Sequence, residues 1–133
     1  MVAGIGDKLL AMAARNVDII AIAAQGAESE LAERISFIKT QAGDRFDHIE
    51  LAFSFFQANL DGSTPDLSFL RMLSPDSTDD QLLNSVTLLA GSVEESAERI
   101  AAMRETHGIT YFTLNLGPNT PWDALEHLIA KAR

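Results

Sequence analysis

Cysteine is absent from this 133-residue chain, which removes disulfides and thiolate metal sites and fits a reducing, cytoplasmic compartment. Positive charge is scarce as well. Ten Lys and Arg face nineteen Asp and Glu, for a net charge of −9, and the basic residues are scattered rather than gathered in a stripe. Such a surface repels phosphate backbones and anionic lipids, so nucleic-acid and membrane-surface partners are not expected. Long apolar runs are missing too. The longest, Val17 to Ala24, falls far below the roughly 20 residues that span a bilayer. No basic segment followed by a long apolar run opens the chain, so no signal peptide is expected. Ser/His/Asp arrangements, Walker loops and nucleophile elbows are also absent.

What is present reads as one globular domain with a core, since 47% of the residues are apolar. Asp7 to Asn16 places Leu9, Leu10 and Ala13 at helical spacing. Val17 to Ala24 is nearly continuous apolar sequence, as in a parallel strand covered on both faces. Glu28 to Ala42 returns to helical period with Leu31, Ile35 and Ile38 on one side, and Gly43 marks its stop. From His48 to Phe56 the period becomes two: Ile49, Leu51, Phe53 and Phe55 share a face opposite Glu50, Ala52, Ser54 and Phe56. An irregular stretch from Gln57 to Ser77 leaves room for a short helix around Leu67 to Leu73.

Two capping boxes follow, Thr78 with Gln81 and Ser92 with Glu95. The second opens a helix to His107, with Val93, Ala97, Ile100 and Ala101 inward and Gly108 at its end. Ile109 to Leu116 reads as a strand. Thr120 as N-cap and Pro121 as first helical residue begin a last helix, with Leu125, Leu128 and Ile129 inward. Alternation of this kind signals βα units and a mostly parallel sheet, preceded by what reads as the end of a strand at Met1–Val2–Ala3.

Chemistry has few footholds. Ala3-Gly4-Ile5-Gly6-Asp7 leads from a strand end into a helix, where backbone N–H groups and the helix N-terminus suit a phosphate. The same two glycines also serve an ordinary strand–helix turn, and the third glycine of a dinucleotide fingerprint is missing, with Leu9 in its place. His48, His107 and His127 stand apart without metal-ligand spacing, and His107 suits a helix C-terminus as a cation. In a parallel barrel the functional face lies at strand C-termini. That rule singles out Ala23, Gln25, Gln57, Asn59, Asn115 and Asn119, with Glu50, Ser54, Thr113 and Asn115 directed to the interior.

The segment "VAGIGDKLLAMAARNVDIIAIAA" resembles the strand, Gly-rich turn and helix of luciferase-like monooxygenases. "ISFIKTQAGDRFDHIEL" looks like their next helix and strand, and "LLNSVTLLAGSVEESAERIAAMRETHGITYFTL" like their closing units. The matches are collinear and cover nearly the whole chain, closest to the deazaflavin-dependent subgroup. The resemblance implies a partial TIM-type (β/α)8 barrel, the last three βα units of it. It further implies hydride transfer between coenzyme F420 or FMN and a small organic substrate, with backbone groups of Gly4, Ile5 and Gly6 at the cofactor phosphate. The early barrel strands that supply much of the family's ring pocket have no counterpart here, so little turnover is expected from the chain by itself. A missing N-terminal half is one expected partner. The alternatives are a non-catalytic module that self-associates through its open sheet, as a homodimer or larger homo-oligomer, and an unrelated α/β domain. On the first reading, Gly4→Val removes cofactor binding and leaves the fold intact.

Overall fold

The computed structural model describes every residue except Ile5 and Gln25. The chain order is β1 (Val2–Gly4), α1 (Asp7–Asn16), β2 (Ile19–Ile22), α2 (Glu28–Ala42), a 3-10 turn (Gly43–His48), β3 (Glu50–Asn59), α3 (Ser68–Leu73), α4 (Asp79–Leu83), β4 (Leu88–Ala90), α5 (Val93–His107), β5 (Ile109–Leu116) and α6 (Trp122–Ala132). Every strand pairing is parallel. β1 lies beside β2, and β2 pairs Ile19–Ile22 with Glu50–Phe53 of β3. β5 runs along β3 from Leu51 to Ala58. Since β5 takes that edge, β4, paired with Gln57–Asn59, continues the β2 edge beyond the end of β2.

The strands bury their odd-numbered β3 positions against the long helices. Leu51, Phe53 and Phe55 are buried and join Leu10, Ala13, Ile20, Ile22, Leu31, Ile38, Ile100, Met103 and Leu128 in one core. Phe55 meets Phe53 edge-on at 5.3 Å and stacks on Phe112 of β5 at 6.0 Å, which ties β3 to β5. Residues of opposite parity look the other way. Phe56, Leu88 and Ala90 pack with Leu70 of α3 and Leu82 of α4 in a second, smaller cluster. The α3–α4 excursion therefore covers the upper end of the face that the long helices leave open. Lower on that face the groups of β3 and β5 pair side by side: Thr110 Oγ1 donates to Glu50 Oε1 at 3.0 Å, and Thr113 Oγ1 to Ser54 Oγ at 2.6 Å.

Helix ends follow local chemistry. Both capping boxes form, Thr78 with Gln81 and Ser92 with Glu95, each with its two reciprocal bonds. Gly108 ends α5 in the left-handed conformation at φ 70°. At α6 the start differs from expectation. The Thr120 hydroxyl is spent on Gly117 O at 2.8 Å, so Pro121 becomes the N-cap and Trp122 the first helical residue. Of the three inward positions expected there, Leu128 is buried and Leu125 half-buried, while Ile129 is 47% exposed. α6 packs chiefly on α5 rather than on the sheet.

Candidate functional site

Because the strands are parallel, the loops after β1, β2, β3 and β5 gather at one end of the sheet. Between the loop after β3 and the loop after β5 lies a cleft of about 470 Å³, lined by Asn59, Asp61, Ser63, Thr64, Asp66 and Asn119 with Pro118 and Pro121. Of the positions singled out by the strand-end rule, Asn59 and Asn119 meet here. Gln57 and Asn115 do not: Gln57 Nε2 donates to Asp66 O at 2.8 Å, and Asn115 Nδ2 to Phe56 O at 3.1 Å. The Gln57 Oε1 atom is buried without a hydrogen-bond partner. Ala23 is half-buried, and Gln25 lies outside the described residues.

The cleft loop is held by two Asp-x-Ser turns. Asp61 Oδ1 accepts from the Ser63 backbone N–H at 2.9 Å and from its hydroxyl at 2.6 Å, and Asn59 Nδ2 joins at 3.0 Å. Asp66 Oδ1 accepts the same pair of bonds from Ser68. The Ser63 hydroxyl and backbone N–H hold the Asp61 carboxyl below the usual carboxylate range, and Ser68 does the same for Asp66. Both carboxylates are ionised at neutral pH, and no Lys or Arg lines the cleft. It repels phosphate and other anions. These residues were missed in the sequence, where the Asp-x-Ser spacing was the available cue.

The phosphate-suited position is elsewhere. Gly6 is the N-cap of α1 with extended backbone (φ −76°, ψ 136°) and no side-chain cap, so the first-turn N–H groups face outward without a capping side chain. A Cβ on Gly6 would meet no atom within 4 Å, whereas one on Gly4 would run into Leu9 Cδ2. Gly4 thus faces the Leu9 side chain, which is 37% exposed, and Gly6 faces open space. Ile5 lies outside the described residues. Asp7, the negative charge beside this turn, is paired to Arg34 at 3.2 Å. His107, at the end of α5, meets Glu28 Oε1 of α2 at 2.8 Å, and no group of three or more potential metal ligands is found among the described residues.

No protein-family profile matches the chain, and no curated protein is similar to it in sequence. Solved structures are similar in fold. Coenzyme F420-dependent tetrahydromethanopterin reductase from Methanopyrus kandleri aligns with a TM-score of 0.64 at 11% identity, over 97% of this chain and 48% of that one. An F420-dependent secondary alcohol dehydrogenase in complex with an F420–acetone adduct aligns at 0.71 and 18%, over 98% and 48%. The chain has the fold of about half of a TIM barrel. The long-chain alkane monooxygenase LadA shares it at a TM-score of 0.59 and 15% identity, over 96% of this chain and 38% of that one. The partial barrel thus spans about half the length of these structures or less. No helix among the described residues is long and apolar enough to cross a membrane.

Proposed function

We propose that the chain is part of a luciferase-like oxidoreductase that uses a deazaflavin or flavin for hydride transfer to a small organic substrate. The observation that carries this reading is the uncapped N-terminus of α1 at the C-terminal end of β1, in a fold shared with two F420-dependent enzymes. Backbone N–H groups of Gly4, Ile5 and Gly6, with the first turn of α1, hold the cofactor's phosphate. The open space over Gly6 admits it, and Arg34 offsets the Asp7 carboxylate beside it. Bound there, the cofactor supplies the hydride chemistry that no side chain of this chain offers. The cleft between Asn59 and Asn119 receives neutral polar groups of the substrate.

The test is a titration of the purified chain with coenzyme F420 and with FMN, followed by cofactor fluorescence. Saturable binding that Gly6→Val abolishes, with the circular dichroism spectrum unchanged, is the expected result. Binding that survives Gly6→Val rejects the assignment of the turn, and no binding by the folded chain rejects the cofactor reading. A second reading, a self-associating module without catalysis, draws on the unpaired outer edges of β1 and β5.

A further inference from the structure

The two ends of the sheet differ in a complementary way. β1 and β5 each pair on one side only, and neither carries a charge or a proline. Natural edge strands are ordinarily guarded by such residues. Beside β1, helix α1 turns its Asp7 and Arg15 toward α2, where they meet Arg34 and Gln41. At about 100° per residue, Leu9 and Met12 then fall on the flank away from α2, and they are 37% and 44% exposed. Beside β5 the relief is inverted. A largely apolar cleft of about 230 Å³ opens between α5, α6 and β5, lined by Ile100, Phe112, Leu114, Leu128 and Ile129 together with Arg104 and Arg133.

We propose that a second copy of this chain docks head to tail, its β1 pairing with the β5 edge and its Leu9 and Met12 filling the cleft beside Ile129. Knob and cleft sit at opposite ends of the same sheet, so each contact joins two different surfaces, and a two-fold axis repeats it reciprocally. Here closure takes two copies. Around the barrel the order is β1-β2-β3-β5, all parallel. A half-turn about the barrel axis keeps strand direction and brings together the eight strands of a TIM barrel. The interior fits the same arrangement. Ala3, Ala21, Ala52 and Tyr111 are in register across the four strands of the open face. Ala52 is already covered, but Ala3 is exposed and Ala21 half-buried, and the Tyr111 rings, 42% exposed in the single chain, would fill the room over these two.

This deepens the self-association reading and is independent of the cofactor. The cysteine-free chain gives a direct test. Light scattering across protein concentrations reads the mass of the full chain, and Met12→Cys and Ile129→Cys are made as separate variants and treated with a short bis-maleimide. The expected results are twice the chain mass and a crosslinked dimer from the mixed variants, with little from either alone. Met12→Lys should weaken the dimer by about 100-fold, the cost of burying an unpaired charge, with unchanged circular dichroism. A monomer at every concentration overturns the proposal together with self-association. A dimer that Met12→Lys leaves intact, or in which Met12→Cys crosslinks to itself instead of to Ile129→Cys, overturns the head-to-tail geometry alone.

Discussion

Phe55 and Phe56 are neighbours of the same type in one strand, and the structure assigns them to different cores. Phe55 is fully buried, edge-on to Phe53 and stacked on Phe112. Truncation to alanine leaves a ring-sized void among residues of β3, β5 and the long helices. Such losses cost about 3–5 kcal/mol, a large part of the roughly 5–15 kcal/mol that holds a domain. For a chain of this size that lowers the melting temperature by roughly 10–20 °C. Phe56 is half-buried in the small cluster with Leu70, Leu82 and Leu88, and Phe56→Ala should cost only about 1–2 kcal/mol. Urea unfolding followed by circular dichroism measures both, with the denaturant slope as a check that unfolding stays two-state. Equal losses would mean that the strand does not alternate between a large core and a small one, and would refute the two-faced reading of β3.

The His107–Glu28 contact joins the end of α5 to the start of α2, with the imidazole almost enclosed. A double-mutant cycle of His107→Ala and Glu28→Ala should give a coupling of about 1 kcal/mol, and a coupling near zero rejects the staple. Ser92→Ala removes an N-cap with both box bonds formed and should cost about 1 kcal/mol in urea unfolding. For Asp61 and Asp66 the folded carboxyls lie below their usual range. Their contribution is therefore complete above the unfolded value of about 3.9 and is lost as pH falls through the lower folded values. Amide shifts of Ser63 and Ser68 should stay constant from neutral pH to about pH 5 and move only below pH 4; titration above that window contradicts the two turns.

Much of the fold was legible because its long elements are strongly marked. α1, α2, α5 and β5 have the bounds that period, caps and glycine stops indicate. β3 alternates as its sequence does, though it starts two residues later than expected and runs on to Asn59. β2 is shorter than the apolar run that announces it, since apolar residues on either side serve packing without strand pairing. β4 has three residues, too few for any period to register. The 3-10 turn after Gly43 had no signal of its own. The placement of α3 and α4 on the open face depends on where Phe56 and Leu88 point, which only the assembled sheet decides. At the site, Asn59 and Asn119 were reachable from the rule that parallel strands present ligands at their C-terminal ends. The different surroundings of Gly4 and Gly6 were not, because they turn on the position of one Leu9 methyl group.

Salt separates two accounts of how copies would meet. The chain carries a net charge of −9, so any two copies repel at long range. Yet β1, β2, β4 and β5 hold no charged residue, and β3 holds only Glu50, bonded to Thr110. The acidic groups sit on helices and loops, and the charges that line the cleft itself are the cations Arg104 and Arg133. Repulsion in that arrangement acts across solvent, where screening is effective beyond about 10 Å at 0.1 M salt. The apolar and strand-pairing contacts are insensitive to it. Raising sodium chloride from 0.05 to 0.5 M, on the order of a threefold change in screening length, should therefore tighten the dimer. A dissociation constant that rises with salt would mean that ion pairs, and not the uncharged strand edges and apolar side chains, dominate the contact.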